Sequence, residues 1–155
     1  KYDSDYDSTC NYYRWKMTVS DKDLSSSFDS KISDVGIIQN IYVRKRVSGG
    51  AAVSVVVEGD KNTVTLDSES LIRQAFGNAA VTLETNGGTV NTPYLPSTFC
   101  IFESQEKDGE KYFVITGGGF GHGIGMSQNA VNAMTKRGMS YKDILEFFYP
   151  GTKVA

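Results

Sequence analysis

Ile37-Ile38-Gln39-Asn40-Ile41-Tyr42-Val43-Arg44-Lys45-Arg46-Val47, then Ser48-Gly49-Gly50, then Ala52 to Val57, is the stretch that decides the fold. Two runs rich in β-branched residues flank a glycine turn, which predicts a hairpin. The second run is nearly all Val and Ala, so it should be buried on both faces. Gly59-Asp60-Lys61-Asn62 is a further turn, and Thr63 to Leu66 completes a three-strand meander.

Outward from there the pattern alternates between strand and helix. Upstream, Asn11 to Val19 carries Tyr13, Trp15, Met17 and Val19 at alternate positions and predicts a strand. Ser20 with Asp23 three residues on marks a helix start, and Leu24 and Phe28 give it an apolar face over about 21–30. Downstream, Asp67 or Ser68 caps a helix that Gly77 ends. Val81 to Glu84 is a strand, Asn86-Gly87-Gly88 a turn, and Pro93 and Pro96 bracket an irregular stretch. Ser97–Glu103 and Lys111–Thr116 form a hairpin around Lys107-Asp108-Gly109. Ser127 and Ser140 cap the last two helical segments. The expected class is α+β: a strand-rich mixed sheet, able to close into a barrel, with about three short helices.

Composition bounds the function. The chain has 155 residues, 39% apolar and 22% charged, enough for one domain with its own core. A net charge of −2 offers no basic stripe to displace counterions, so nucleic acid is not an expected partner. No run of about 18 apolar residues predicts a membrane span. The chain starts Lys1-Tyr2-Asp3-Ser4 with no initiator Met or targeting segment and reads as a piece of something larger, residues 1–10 being a linker or a cut strand end. Cys10 and Cys100 can be free, paired, or metal-bound with His122; no CxxC or HExxH spacing favours a metal.

The chemistry-bearing stretch is Gly117-Gly118-Gly119-Phe120-Gly121-His122-Gly123-Ile124-Gly125-Met126-Ser127-Gln128. Its spacing completes neither GxGxxG nor GxxxxGK[ST], and Asn129 stands where a GxSxG elbow needs its last glycine. Six glycines surround His122, the single histidine of the chain. Each glycine costs conformational entropy, and a plain turn rarely needs so many. A structural reading stands beside this: the glycines let the segment thread close to a neighbouring helix. His122 can serve as acid, base or donor, or bond to strand carbonyls. Ser127 is first a helix cap; as a nucleophile it would need His122 and an Asp that nothing local supplies. Gln128 is a solvated first-turn residue or a donor to a sugar hydroxyl or N-acetyl group. Arg73 is a surface charge or, less simply, a groove-lining residue.

The block Gly119 to Gln128, followed by Gly138, Ser140-Tyr141, Ile144-Leu145 and Phe148-Tyr149-Pro150-Gly151-Thr152, resembles the SpoIID/LytB family of stage II sporulation D and amidase-enhancer proteins. Ser48-Gly49, Leu71-Ile72-Arg73, Pro96-Ser97 with Phe99, and Trp15 extend the match from about residue 12 to the end. The chain departs from the pattern at Asn129, Ala130 and Val131, where the family has an aromatic residue, Gly and Ala. The resemblance implies the C-terminal portion of such a domain (1–155), acting on peptidoglycan glycan strands outside the cell or in the envelope of a bacterium. Family members of the sporulation type are lytic transglycosylases whose catalytic Glu lies in an N-terminal helical stretch. That stretch, and the upstream Cys and His that bind zinc in some members, are not among these residues. No cofactor is therefore expected and the chain alone is expected to be inactive. Implied contacts to saccharide are Gly121, His122, Gly123, Ser127, Gln128 and Arg73, with His122 an electrostatic helper to the family acid. Implied partners are the glycan strand, the absent N-terminal part and a cell-wall amidase. The alternative is a non-catalytic peptidoglycan-binding or amidase-enhancer module. A third reading is an inert half-domain, whose exposed apolar patch would be the Val-rich strand 52–57.

Overall fold

The structure, a computed structural model, describes residues 5–154. Two antiparallel sheets carry the chain. One has five strands in the order β6-β5-β1-β8-β7: β1 (Trp15–Ser20), β5 (Asn78–Thr85), β6 (Gly88–Thr92), β7 (Cys100–Lys107) and β8 (Glu110–Gly117). The other is the expected meander: β2 (Ile38–Arg46), β3 (Ala52–Gly59) and β4 (Thr63–Leu66). The class is α+β, as the sequence indicated. Every ladder is antiparallel, so the sheets are not mixed.

The sheets do not close into a barrel. No ladder joins β2 to β7. The seam is bridged instead by a side chain, Arg46 Nη2 donating to Cys100 O at 2.7 Å, and by Ala52 N–H donating to Thr98 O at 2.9 Å. A side chain standing where a ladder bond would run stops the pairing from propagating. Glu103, Glu106 and Lys107 then leave a charged edge on β7, which discourages pairing with another chain.

Among the described residues there are four α-helices, one at each start read along the chain and one more than the overall estimate of about three: α1 (Asp21–Lys31), α2 (Glu69–Phe76), α3 (Gln128–Lys136) and α4 (Tyr141–Phe148). Ser20, Ser68, Ser127 and Ser140 each accept a bond from the backbone N–H three residues on. Ser140 and Asp143 complete a capping box. Gly138, at φ +83°, ends α3 in a Schellman turn: its N–H reaches Thr135 O and that of Met139 reaches Met134 O. Gly77 ends α2 for a different reason than a left-handed cap. Its φ is −69°, and a Cβ there would lie 2.3 Å from Pro93 O.

Alternation along β1 buries Trp15, Met17 and Val19 on one face. They join Leu83, Phe113 and Ile115 of the same sheet, Ile38, Val55, Val57 and Leu66 of the other, and Leu24, Phe28, Ile72 and Phe76 of α1 and α2 in one core. Strand β3 is buried, so it supplies no exposed patch for a missing half. Large exposed apolar side chains include Phe120, Ile124 and Met126 of the glycine loop and Tyr141, Phe147 and Tyr149 on and after α4. Asn11–Tyr13 is a 3-10 turn, not the start of β1. Asp108 and Gly109, both at positive φ, make the two-residue turn that the Asp-Gly pair signals. Among the described residues no helix is long and apolar enough to cross a membrane.

Candidate functional site

The glycine loop leaves β8 beside β1 and is fixed from both sides before it becomes free. Gly118 N–H donates to Phe99 O at 3.0 Å, Gly119 N–H to Tyr12 O at 2.8 Å and Gly121 N–H to Pro96 O at 2.8 Å. Ser97 Oγ donates to Gly118 O at 2.7 Å, and the Trp15 indole N–H to Gly119 O at 3.2 Å. Segments 10–13 and 96–99 are thereby the banks between which the loop runs. Gly119, Gly121, Gly123 and Gly125 all hold positive φ, which excludes ordinary side chains at every second position. At Gly123 a Cβ would also fall 2.5 Å from the Phe99 ring, so the close neighbour there is the segment before β7 and not the helix that the sequence reading expected.

A cleft of ≈ 610 Å³ opens between these segments. Tyr12, Tyr13, Phe99 and Phe120 give it aromatic walls; Asp7, Asn11, Ser97, Ser127 and Asn129 give it a polar rim. Tyr12 and Phe120 face each other with ring centroids 4.8 Å apart, and Phe120 is 69% exposed.

The residues singled out in the sequence separate here. Gly121, Gly123 and Ser127 line the cleft. His122 and Gln128 are exposed beside it and Arg73 is away from it. His122 Nδ1 accepts the Ile124 N–H at 3.0 Å, so the neutral ring carries its proton on Nε2 and presents a donor outward. Arg73 is committed to the fold: Nε donates to Leu95 O at 2.8 Å and Nη1 to Glu69 at 2.9 Å, tying α2 to the segment that leads into the cleft. Asn129, noted only as a departure from the family pattern, lines the cleft.

Asp7 was not foreseen. Its carboxylate accepts the Ser127 hydroxyl at 3.1 and 3.2 Å, across 120 positions of sequence. Of the stretch read as linker, residues 1–4 lie outside the described residues, while 5–10 form a turn packed on the site and on the last two helices. Tyr6 holds it there, with the Arg137 guanidinium 4.6 Å over its ring and Phe147 edge-on at 5.9 Å. The Tyr-Asp-Ser repetition was the visible signal, but nothing local says what it packs against. Ser127 thus bonds Asp7 and caps α3 at once, while His122 bonds Ile124; the two do not form a Ser-His-Asp relay among the described residues.

Cys10 and Cys100 are free thiols, and among the described residues no three His, Cys, Asp or Glu side chains are placed to hold a metal. Burial pushes the Cys100 thiol up to about 12. The half-buried Cys10 is also raised, by burial and then by Asp7. The thiolate is the reacting form, so a maleimide at pH 8 should label Cys10 slowly and Cys100 only after denaturation, at least about 100-fold later. Equal labelling of both in the native protein, read by peptide mass, would contradict this placement.

A family model matches residues 1–125, about four fifths of the chain. The chain belongs to the family described as Domain of unknown function (DUF8618). Over 47 residues, 30% of the chain, it is 55% identical to an amidase enhancer of Bacillus subtilis (strain 168). Over 41 residues, 26% of the chain, it is 46% identical to the stage II sporulation protein D of that organism and to that of Bacillus amyloliquefaciens. The SpoIID/LytB relationship read from the glycine block is thus supported, over under a third of the chain rather than from residue 12 onward. The aligned stretches span 6% of the amidase enhancer and 12% of each sporulation protein.

Proposed function

We propose that this domain has a cell-wall role and binds the glycan strands of peptidoglycan in the cleft between Tyr12, Phe99 and Phe120. The observation that carries the reading is the cleft's make-up: aromatic walls, a rim of hydroxyls and amides, and a backbone made approachable by glycine. Sugar rings have apolar C–H faces that stack on aromatic rings and edges dense in hydroxyls that need such donors and acceptors. The amidase-enhancer and sporulation relatives add the cell wall as context. The proposed location is the outer face of the cell or its envelope.

Binding, rather than cleavage, is what these residues supply. Lytic cleavage of a glycosidic bond needs an acid to protonate the leaving oxygen. The carboxylate that lines the cleft, Asp7, is an acceptor for Ser127. His122 offers Nε2–H as a donor to a saccharide, and in a longer polypeptide carrying an acid it would stand beside the developing charge. A domain that holds the strand in place for a partner amidase fits the same site.

Co-sedimentation with purified insoluble peptidoglycan tests this. The chain is expected in the pellet, with no anhydro ends released into the supernatant, and His122→Ala is expected to lower retention about three- to tenfold, the loss of one hydrogen bond to ligand. A chain that stays wholly in the supernatant would refute the proposal.

A further inference from the structure

Beyond Phe99 and Gly119 the cleft runs on into a second, shallower groove of ≈ 580 Å³. The chemistry changes at that point. Aromatic rings wall the cleft; the groove keeps an apolar wall of Phe99 and Ile101 but adds two arginines, Arg14 just ahead of β1 and Arg46 at the end of β2. Arg46 belongs to one sheet and Arg14 to the turn that feeds the other. Arg46 Nη1 donates to Gly50 O at 2.8 Å and Nη2 to Cys100 O at 2.7 Å. Arg14 Nη1 donates to Tyr13 O at 2.7 Å, and its guanidinium lies 4.0 Å over the Tyr13 ring. These contacts hold both guanidiniums in place. A guanidinium has five N–H donors, so each keeps several to offer.

Among the described residues no carboxylate lies within 4.0 Å of Arg14 or Arg46, although four other ion pairs are formed. Asp7 also stands on the groove wall; it accepts the Ser127 hydroxyl but keeps its charge, so the two guanidiniums outweigh one carboxylate in the groove. The glycines Gly117 to Gly119 also line the groove, and a Cβ on Gly118 would press to 3.0 Å from Arg14 Nη1.

We propose that this groove is an anion subsite that receives a carboxylate carried by the polymer in the cleft. It rests on the glycan reading and adds a charge requirement to it. Guanidinium forks match carboxylates in pairs of parallel bonds, and two held forks select a carboxylate over a neutral amide or hydroxyl. In a peptidoglycan strand that carboxylate is either the free lactyl group of a muramic unit without a stem peptide or, where a stem is attached through that group, an acid of the stem.

The test is calorimetric titration of the full chain with three soluble probes: a neutral N-acetylglucosamine oligomer, a glycan fragment with free lactyl carboxylates, and a fragment bearing stem peptides. The acidic fragments should bind about tenfold tighter than the neutral one, an advantage that shrinks with added salt. Arg14→Gln and Arg46→Gln should each remove most of that advantage while leaving the neutral oligomer's affinity as it was. Arg14 makes no bond between the sheets, so its variant remains informative if Arg46→Gln unfolds the seam. Preference for the free-lactyl fragment alone assigns the lactyl group, preference for the peptide-bearing fragment alone assigns the stem, and preference for both means that the paired guanidiniums take either carboxylate; each of these supports the subsite. Equal affinity for all three, or an acidic preference that survives both substitutions, overturns it. If none binds, the glycan reading fails and the subsite with it.

Discussion

Gly117→Ala is expected to destabilise the domain by about 3 kcal/mol and to weaken ligand binding at the same time. Gly117 sits opposite Trp15 in the β1–β8 register, and the indole lies across its α-carbon. A Cβ there would be 2.2 Å from Trp15 Cζ2 and 2.6 Å from Cη2. Trp15 is 2% exposed and has nowhere to retreat. Overpacking of this kind costs about 1–3 kcal/mol, and displacing the ring also breaks its bond to Gly119 O, worth about 1 kcal/mol. With a urea dependence of about 1.5–2 kcal/mol/M the unfolding midpoint should fall by about 1.5–2 M. Because Trp15 anchors Gly119, the loop moves with it. A midpoint within about 0.3 M of the parent would show that the indole does not pack as described.

Phe120→Ala should have the opposite signature. The ring is largely exposed and touches Tyr12 across the mouth of the cleft, so its loss should leave stability within about 1 kcal/mol. If it is a sugar-stacking wall, binding should weaken by about 2 kcal/mol, or about 30-fold, as for an aromatic anchor at the centre of a contact. Parallel melting and binding curves separate the outcomes. A well-folded variant that binds within twofold of the parent would remove Phe120 from the site.

The features legible in the sequence were those written in local chemistry. Ser20 and Ser140, each with an Asp three residues on, the Asp67-Ser68 pair and Ser127 placed four helix starts, the Val-rich run placed β3 at the centre of its sheet, and Asp108-Gly109 placed a hairpin. The short strand β6 was hidden because Thr89-Val90-Asn91-Thr92 lies between a glycine turn and Pro93 with little apolar content. Asn11–Tyr13 looked like strand because Tyr13 falls in step with the alternation of Trp15, Met17 and Val19, though the turn itself has a three-residue period. Whether two sheets close depends on pairing between residues such as Arg46 and Cys100, which no local pattern encodes.

The site divides along the same line. His122 and its glycines announced themselves through an uneconomical backbone. The walls did not, since Tyr12, Phe99 and Phe120 come from three separated segments and each alone reads as an ordinary core or surface aromatic. Asp7 was the least legible, its role set by Ser127 at the far end of the chain. Arg73 shows the converse: an arginine in a family-like motif whose donors hold α2 to the segment entering the cleft.

The most direct test of the central claim is a chemical-shift titration of the isotope-labelled chain with a soluble glycan-strand fragment. The account predicts that the amides of Tyr12, Phe99, Gly119 to Gly125, Ser127 and Asn129 shift together, with β3 and β4 unmoved. Shifts centred on another face, or none at saturating fragment, would contradict it.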